Sequence, residues 1–497
     1  MIHRRKLSRT RGAPHCSAWY ALVAFALCCC PIACRAGGLP AWLSADLKQI
    51  GIPSAAVAVY VKESGTGTTL ISHNSTTPFK PASITKLVTT YSALEILGED
   101  YVWHTPVYMT GIVQNGELKG NLIFRGVGDP SLSYERIRAF CAELYRRGIR
   151  VIKGDVIIDK SFFAFNAEVP DQFYREAENP WNLPPQPLLV NGKLVTLTVF
   201  PDKKTGTAKT SIEPDLPLIR TENRVSMTAG RCDAGLNGIQ LDVTGDARNA
   251  IIRVSGTLPD QCGPFVKRIS VLGPDAYFAA SLKKGFEQQG GRIDGVVKPG
   301  QIATQARFLG SIPSGSLMEI IRETNKNSNN LMARQLFLAV GAALTGKPPS
   351  PDVSERALLS WIAQRMPETS SFVLENGSGL SDEDRVTAKG MVALLEYIGN
   401  SRYAAQFLDT LPAVGEDGTM RIRLHEQPVA GRSVAKTGTL RDTRAIAGIV
   451  VSQRGRSYIF CMIVNHPRAA AAVPSIDRLI AWLHGLSPAD GLGKNLQ

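Results

Sequence analysis

The stretch PASITKLVTTYSALEILG, residues 81–98, decides the fold of this chain of 497 residues. Its apolar side chains recur at helical spacing: Ile84, Leu87, Val88, Tyr91, Leu94 and Leu97. Pro81 lies near the start of this pattern and Gly98 directly follows its last apolar residue. The stretch therefore predicts a largely buried helix that begins near Pro81 and stops at Gly98.

Ser83 and Lys86 form a Ser-x-x-Lys pattern in the first turn of this predicted helix. A spacing of three residues places both side chains on one helix face, within reach of a hydrogen bond. A lysine held neutral by burial and neighbouring cations can take the proton of a serine hydroxyl, and the helix dipole favours the resulting alkoxide. The pattern recurs at Ser281 and Lys284, but in the middle of a predicted helix, where we expect an exposed face.

The pattern of predicted helices and strands divides the rest of the chain into three regions. Upstream of this helix the sequence predicts one helix and two strands. After residue 306 helices predominate, and three strands and a terminal helix close the chain. Residues 99–305 instead alternate short β-like runs with Gly and Asp turns. We therefore predict an α+β domain formed by residues 37–98 and 306–490 and interrupted by a β-rich insertion at 99–305.

Residues 1–36 have the pattern of a secretory signal peptide. Five basic residues and no acidic one precede the apolar run SAWYALVAFALCCCPIA, and small residues precede Gly37. We expect export to the periplasm; a retained membrane anchor and lipid attachment at Cys34 are the alternatives. No later stretch reaches the roughly 18 consecutive apolar residues of a membrane span.

Loss of this leader would leave 50 basic against 43 acidic residues, a net charge of +7 instead of +13. Such an excess suits a polyanionic matrix such as a cell wall and leaves peripheral membrane association open. No basic tract with interleaved aromatic residues indicates binding to nucleic acid.

Four cysteines follow the leader. Cys141 lies in an apolar helical stripe and Cys461 in an apolar strand, so we expect two buried thiols. Cys232 and Cys262 flank two strand-like runs. We predict a disulfide between them across the base of a hairpin; two free thiols are the alternative.

Two further motifs could carry chemistry. Ser328, Asn329 and Asn330 precede an apolar helical stretch. The serine could relay a proton and an amide could hold a carbonyl group, yet the same pattern is typical of a helix N-cap.

The tetrapeptide KTGT occurs twice, at 204–207 and at 436–439. The first copy has the composition of an exposed hairpin turn. The second lies in a closing strand, where Lys436, Thr437 and Gly438 would present a cation, a hydroxyl and an open backbone edge to an extended peptide. We expect Lys436 and the hydroxyls of Thr437 and Thr439 to meet a terminal carboxylate, so the second copy is the functional one.

The ordered set Ser-x-x-Lys, Ser-x-Asn and Lys-Thr-Gly resembles the motifs of penicillin-recognising serine enzymes. More narrowly, the chain resembles the class C low-molecular-mass penicillin-binding proteins, the D-alanyl-D-alanine carboxypeptidase/endopeptidase family. The stretches that carry this likeness span nearly the whole chain: KPASITKLVTTYSAL, GDPSL, GDVIIDKSFF, NPWN, KNSNNLMARQL, ENGSGLS and VAKTGTL.

The resemblance implies a transpeptidase/β-lactamase-like domain, an antiparallel sheet flanked by helices, with two nested inserted subdomains, the inner one at roughly 112–185. It implies Ser83 as the acylated nucleophile and Lys86 as its general base. The substrates would be peptidoglycan stem peptides, with β-lactam antibiotics as covalent inhibitors. No cofactor or metal is expected, because none of the histidines and cysteines falls at ligand spacing.

The resemblance also implies roles for the remaining motif residues. Ser328 and Asn330 would form the second catalytic element, and Lys436, Thr437 and Gly438 the third. The backbone N–H groups of Ser83 and Thr439 would form the oxyanion hole.

The chain departs from the family pattern at two places. Asp382 follows GSGLS where many relatives carry arginine, and the nearest arginine is Arg385. Leu183 follows NPWN where relatives often have an acidic residue. A serine β-lactamase and a non-catalytic peptidoglycan-binding protein are the alternative functions. The balance of carboxypeptidase and endopeptidase activity and the oligomeric state stay open.

Overall fold

The computed structural model of the protein describes residues 38–165, 183–232 and 238–486. The predicted leader, Cys34 and the NPWN motif lie outside these ranges. The described residues form ten α-helices and twenty strands. The helices are α1 Ala41–Gln49, α2 Thr85–Leu97, α3 Tyr134–Arg146, α4 Pro274–Glu287, α5 Leu317–Lys326, α6 Asn330–Thr345, α7 Pro351–Arg365, α8 Ala388–Gly399, α9 Ala404–Asp409 and α10 Val473–Gly485.

The strands alternate with these helices along the chain. They are β1 Val57–Glu63, β2 Thr69–His73, β3 His104–Met109, β4 Ile112–Gln114, β5 Glu117–Lys119, β6 Leu122–Arg125, β7 Val151–Ile152, β8 Val156–Asp159, β9 Leu194–Asp202, β10 Thr207–Glu213, β11 Ile219–Thr228, β12 Ile239–Gly245, β13 Ala250–Pro259, β14 Phe265–Ser270, β15 Arg292–Ile293, β16 Val297–Pro299, β17 Arg307–Pro313, β18 Ser433–Leu440, β19 Thr443–Val451 and β20 Ser457–Asn465.

One antiparallel sheet joins the two ends of the described chain. Its strand order is β18-β19-β20-β1-β2, so the closing strands pair with the first two. One face of the sheet packs against a core that includes α2, α6 and α8, and the other face packs against α1 and α10. Among the described residues β18 has a partner strand on one side only, and it packs against the turn Ala82–Ile84 that precedes α2. This arrangement is the predicted antiparallel sheet flanked by helices.

The β-rich insertion contains a second five-stranded sheet of order β16-β8-β6-β3-β17. The pairing of β3 with β17 carries this sheet to Pro313, eight residues beyond the predicted boundary at 305. Helices α3 and α4 pack against each other and share its apolar core. The first and last strands of the insertion therefore close it as one unit.

The nesting inside the insertion differs from the predicted inner subdomain at 112–185. Strands β4 to β8, which lie in that range, pair with one another and with β3, β15 and β16. The segment from β9 to β14 instead forms two three-stranded sheets of its own, of order β10-β9-β14 and β11-β13-β12. The nested segment is thus 194–270. Strand periodicity shows where strands lie but not which strands pair, and this is why the sequence misplaced it.

The inserted region contains the Cys232–Cys262 disulfide, which closes the ends of the β12–β13 hairpin region. Cys141 and Cys461 are free and buried, as expected. Ser281 lies in the middle of α4 as predicted, but it is buried and not on an exposed face. Within the described ranges, no helix is both long and apolar enough to cross a membrane.

Candidate active site

The Ser83 side chain projects from a tight turn at the start of α2. Ala82–Ile84 form a single 3₁₀ turn, and α2 begins at Thr85, so the serine precedes the α-helix by two residues. Ala82 is fully buried and has φ +48°, a left-handed conformation that costs an L-residue energy unless its surroundings hold it. The turn is therefore held by what packs around it.

Two glycines allow neighbouring segments to close on this turn. A Cβ atom on Gly379, which has φ +80°, would lie 1.9 Å from the Ala82 carbonyl oxygen. A Cβ atom on Gly438 would lie 2.7 Å from the Pro81 carbonyl oxygen and 3.0 Å from the Ser83 nitrogen. Any larger residue at either position would push the Gly-Ser-Gly segment 377–379 or strand β18 away from the turn that carries Ser83.

Lys86 is fully buried, and its Nζ atom has three close neighbours. Nζ lies 2.9 Å from Ser83 Oγ, 2.5 Å from Asn330 Oδ1 and 2.5 Å from the Ser378 carbonyl oxygen. A neutral amine has two N–H donors and one lone pair. The amide and carbonyl oxygens can only accept, so they take the two N–H groups and direct the lone pair toward the Ser83 hydroxyl.

The electrostatic surroundings favour that neutral amine. Burial lowers the pKa of Lys86 well below its ordinary value, and the positive charges of Lys436 and Arg334 lower it further. The buried Asp384 carboxylate opposes them and raises the Lys86 pKa. Burial in turn raises the pKa of Asp384 to about 7. Lys86 can thus lose its proton far more readily than an exposed lysine.

The Ser-x-Asn segment connects α5 to α6 and has both roles predicted for it, a helix N-cap and contacts with the lysines of the site. Asn329 is the N-cap of α6, and its side chain accepts a hydrogen bond from the Met332 N–H at 3.1 Å. Ser328 has φ +55° and ends the helical pattern between the two helices. Ser328 and Asn330 contact the two lysines of the site, while the residue between them stabilises the helix.

Lys436 extends from β18 and is as deeply buried as Lys86. Its Nζ donates to Ser328 Oγ and to the Thr437 carbonyl oxygen, both at 2.9 Å. Burial lowers the pKa of Lys436 to about 7. This lysine thereby links the KTGT strand to the Ser-x-Asn segment.

The outer edge of β18 lies beside the Ser83 turn and has no partner strand among the described residues. In an antiparallel pair, alternate residues direct both backbone groups away from the partner strand. The Ala435 N–H donates outward, to the Pro412 carbonyl oxygen at 3.0 Å. By the same alternation, Thr437 and Thr439 present their backbone to the open edge, and the Thr439 N–H can share an oxyanion with the Ser83 N–H.

The expected shared contact of Lys436, Thr437 and Thr439 with one carboxylate is not what the strand geometry favours. Successive side chains of a strand point to opposite faces. Lys436 lies on the α2 side of the sheet, paired with Ala447 of the core there, whereas Ala435 on the opposite face packs on the α10 side. The two threonine side chains share the face of Ala435, so the lysine and the hydroxyls have different neighbours.

The other motif copies lie outside the cleft. Residues 203–206 form the exposed turn between β9 and β10, as predicted for the first KTGT. Lys284 contacts Asp215 within the inserted region. The structure therefore brings together Ser83, Lys86, Ser328, Asn330 and Lys436 from three segments of the chain, with Gly438 packed on the turn that carries Ser83.

Several residues in and next to the site were not singled out from the sequence. Ser378, in the ENGSGLS stretch, supplies a carbonyl oxygen that accepts from Lys86. Asn465 at the end of β20 accepts from the Lys80 N–H at 2.7 Å and donates to the Lys80 carbonyl oxygen at 3.1 Å. The Lys80 side chain contacts Asp442 and lies 3.6 Å from Asp382. No local sequence signal marks these residues, because their partners are distant in the chain.

Comparison with known proteins places this geometry in a family. Residues 39–484 match the D-Ala-D-Ala carboxypeptidase 3 (S13) family. The chain is 29% identical to a D-alanyl-D-alanine carboxypeptidase, DacB, of Haemophilus influenzae over 79% of this chain and 82% of that protein. It is 28% identical to a D-alanyl-D-alanine carboxypeptidase of an Actinomadura species over 88% and 83% of the two chains.

Solved structures agree with the sequence comparisons. Penicillin binding protein 4 of Haemophilus influenzae superposes with a TM-score of 0.72 at 26% identity, covering 89% of this chain and 99% of that one. A structure of the same protein complexed with a β-lactam superposes with a TM-score of 0.68. A predatory endopeptidase of Bdellovibrio bacteriovorus, at 17% identity and a TM-score of 0.50, shares the fold. The chain is a serine penicillin-binding enzyme of the D-Ala-D-Ala carboxypeptidase 3 (S13) family.

Proposed function

We propose that the protein hydrolyses the D-alanyl bond of peptidoglycan stem peptides, as a carboxypeptidase, an endopeptidase or both, through an acyl-enzyme on Ser83. The observation that carries the proposal is the environment of Lys86. A fully buried amine with a strongly lowered pKa lies 2.9 Å from one serine hydroxyl and is saturated by acceptors on its other sides. This is what a general base for a serine nucleophile requires.

Acylation then proceeds with each proton accounted for. The Lys86 lone pair takes the Ser83 proton while Oγ attacks the carbonyl carbon before the terminal D-alanine. The oxyanion is held by the backbone N–H groups of Ser83 and Thr439. The C–N bond breaks, and the proton that Lys86 took passes through the Ser328 hydroxyl, which Lys436 contacts, to the leaving amine, so that Lys86 is neutral again. Water then attacks the ester while Lys86 takes one of its protons, and when the C–Oγ bond breaks Lys86 returns that proton to Ser83 Oγ.

The strand edge fits the substrate in this scheme. A stem peptide lying antiparallel to β18 would pair with the outward backbone groups of Thr437. Asn330 would keep Lys86 oriented through the 2.5 Å contact of its amide oxygen. β-Lactams would acylate Ser83 by the same steps, consistent with the β-lactam complex of the Haemophilus influenzae relative.

The remaining assignments of the chain follow from this activity. We propose that residues 1–36 direct export to the periplasm, where peptidoglycan lies, with peripheral membrane association as a further possibility for the basic mature protein. We propose the predicted division into a catalytic domain and a nested insertion, with 194–270 as the inner segment. Asp382, in place of the family arginine, lies 3.6 Å from the Lys80 ammonium and would alter the grip on the peptide's free end.

Intact-mass spectrometry after exposure to penicillin tests the proposal. We expect a long-lived adduct of one penicillin per chain, located on the Ser83 peptide. Rapid turnover of penicillin without an adduct would instead indicate a β-lactamase, and neither adduct nor turnover would indicate a binding protein without activity. Incubation with monomeric and cross-linked muropeptides then separates the loss of one alanine from the splitting of dimers.

A further inference from the structure

Arg334 places a charged side chain in the core beside the catalytic base. It lies in α6, four residues after Asn330, and only 1% of it is exposed. Residues four apart share one face of a helix. On this face Asn330 Oδ1 lies 2.5 Å from Lys86 Nζ, and α6 packs against α2. The face of α6 that contacts Lys86 therefore also carries a guanidinium group.

A segment of the insertion holds Arg334 in place. Arg334 Nη1 donates to the Leu183 carbonyl oxygen at 3.1 Å, and Gln335 Nε2 donates to the Gln186 carbonyl oxygen at 2.7 Å. The Leu183 side chain packs with Leu331 of α6 in one apolar cluster. A long cationic side chain usually keeps its charged end in water. These contacts instead keep the charged end of Arg334 in the core.

Three charged groups act on the Lys86 amine. Lys436 of β18 and Arg334 of α6 are cations and lower its pKa, whereas the buried Asp384 carboxylate, in the loop before α8, raises it. Helix α5 also packs against α2, and it faces that helix with the uncharged Asn325 amide. Arg334 is thus one of two cations that disfavour the protonated form of the base.

We propose that Arg334 is a positioning residue for acylation: its buried charge, held in place by the insertion, favours the neutral form of Lys86 that accepts the Ser83 proton. This inference rests on the proposed function. Arg334 acts through Lys86 and makes no contact with the substrate in this scheme. The pH range of activity then depends on a contact between the catalytic helices and the insertion.

Four variants separate the charge of Arg334 from its packing. Arg334→Gln removes the charge but keeps an N–H donor for the Leu183 carbonyl oxygen, and Arg334→Lys keeps the charge. Gln335→Leu is the matched control, because it removes the neighbouring hydrogen bond to the same segment without a change of charge. The double variant Arg334→Gln/Asp384→Asn removes one charge of each sign.

Stopped-flow acylation by a chromogenic β-lactam between pH 5 and 10 measures each variant. We expect Arg334→Gln to move the rising limb of the pH–rate profile to higher pH, because Lys86 without this neighbouring cation keeps its proton to higher pH. Acylation on the limb should slow about three- to tenfold, while the plateau at high pH should stay within about twofold.

The other variants should keep the limb near its wild-type position. Arg334→Lys retains the charge, and Gln335→Leu changes no charge. In the double variant the effects of the two lost charges on Lys86 have opposite signs, so they should largely cancel.

Three results would overturn this inference while the wild type is still acylated. A lower plateau with an unmoved limb in Arg334→Gln would mean that Arg334 only supports the packing of α6. An unmoved profile would mean that its charge does not act on Lys86. A double variant displaced as far as Arg334→Gln alone would mean that the shift does not come from charge.

Circular dichroism shows whether each variant is folded. If Arg334→Gln is unfolded, Arg334→Lys decides: a limb within about 0.3 pH unit of the wild type supports the inference, and a limb at higher pH despite the retained charge overturns it. A wild type that neither forms the penicillin adduct nor hydrolyses a stem peptide would instead overturn the proposed function.

Discussion

The catalytic region and the inserted region carry the same short motifs with opposite consequences. KTGT forms an exposed turn between β9 and β10 in the insertion, but an edge strand beside the nucleophile in the catalytic sheet. Lys204 is exposed to solvent, whereas Lys436 is fully buried. Burial and contact with Ser328 change the chemistry of the second lysine, although the four letters are identical.

The two Ser-x-x-Lys copies differ in the same way. Ser83 contacts a buried amine, whereas Lys284 of the second copy forms an ion pair with the exposed Asp215 carboxylate. Ser281 is buried, and its hydroxyl makes no hydrogen bond within the described ranges. A lysine becomes a base only where burial and other cations remove its proton, and only the first copy has both.

Replacing the serine of each copy gives the largest expected contrast. Ser83→Ala should abolish the penicillin adduct and lower kcat for stem-peptide hydrolysis by on the order of 10⁵- to 10⁶-fold, because no other group can form the ester. Ser281→Ala removes a buried hydroxyl without a partner and should leave kcat within twofold. Steady-state assays and mass spectrometry measure both. A surviving adduct in Ser83→Ala would place the nucleophile elsewhere.

Replacing the lysine of each KTGT copy should give the next largest effect. Lys436→Gln should slow acylation by about 10²- to 10⁴-fold, since the proton path to the leaving group is broken. The Lys436 charge also lowers the Lys86 pKa, so without it Lys86 keeps its proton to higher pH. The rising limb of the pH–rate profile should therefore move to higher pH.

Lys204→Gln is the control for this experiment. It lies in the exposed turn and should change neither the rate nor the pH profile. Stopped-flow acylation by a chromogenic β-lactam between pH 5 and 10 measures both variants. A rising limb that stays at the same pH in Lys436→Gln would show that the Lys436 charge does not affect the pKa of Lys86.

Asp384→Asn should move the rising limb of the pH–rate profile to lower pH, by less than Lys436→Gln moves it to higher pH. The Asp384 carboxylate, charged above its pKa of about 7, raises the pKa of Lys86. The neutral amide removes this effect, so Lys86 deprotonates at lower pH. The midpoint of the rising limb should therefore move to lower pH by less than about one pH unit. Glu383→Gln, at the exposed neighbouring position of the same loop, is the control. A shift to higher pH would mean that Asp384 acts on the site through structure instead of charge.

Local periodicity predicted most of the elements that position this site. The apolar spacing of residues 84–97 gave α2, and the break of the helical pattern at Ser328 separates α5 from α6 where the Ser-x-Asn motif lies. Pairing partners were harder to predict, because strands β4 to β8 look like a unit in sequence while β7 and β8 also pair with β15 and β16, more than a hundred residues later. The nested segment was misplaced for that reason.

Site residues were predictable where a motif holds several of them together. The strand rule alone would have separated Lys436 from the threonine hydroxyls, since adjacent residues of a strand point to opposite faces. Asp384 and Asn465 have no such signal. Each comes close to the site from a loop or strand end whose position depends on the packing of the whole domain.

Removing the Cys232–Cys262 disulfide should have the smallest effect on catalysis. The bond closes a separation of 30 residues within the inserted region, far along the chain from every motif residue of the cleft. By loop entropy, its loss should destabilise that region by about 3–4 kcal/mol. We expect the double variant Cys232→Ser/Cys262→Ser to be cleaved faster by protease within the insertion. Because Ser83, Lys86 and Lys436 depend on the catalytic sheet and α2, acylation by a small β-lactam should stay within twofold. A parallel loss of acylation would mean that the inserted region and the catalytic sheet unfold together.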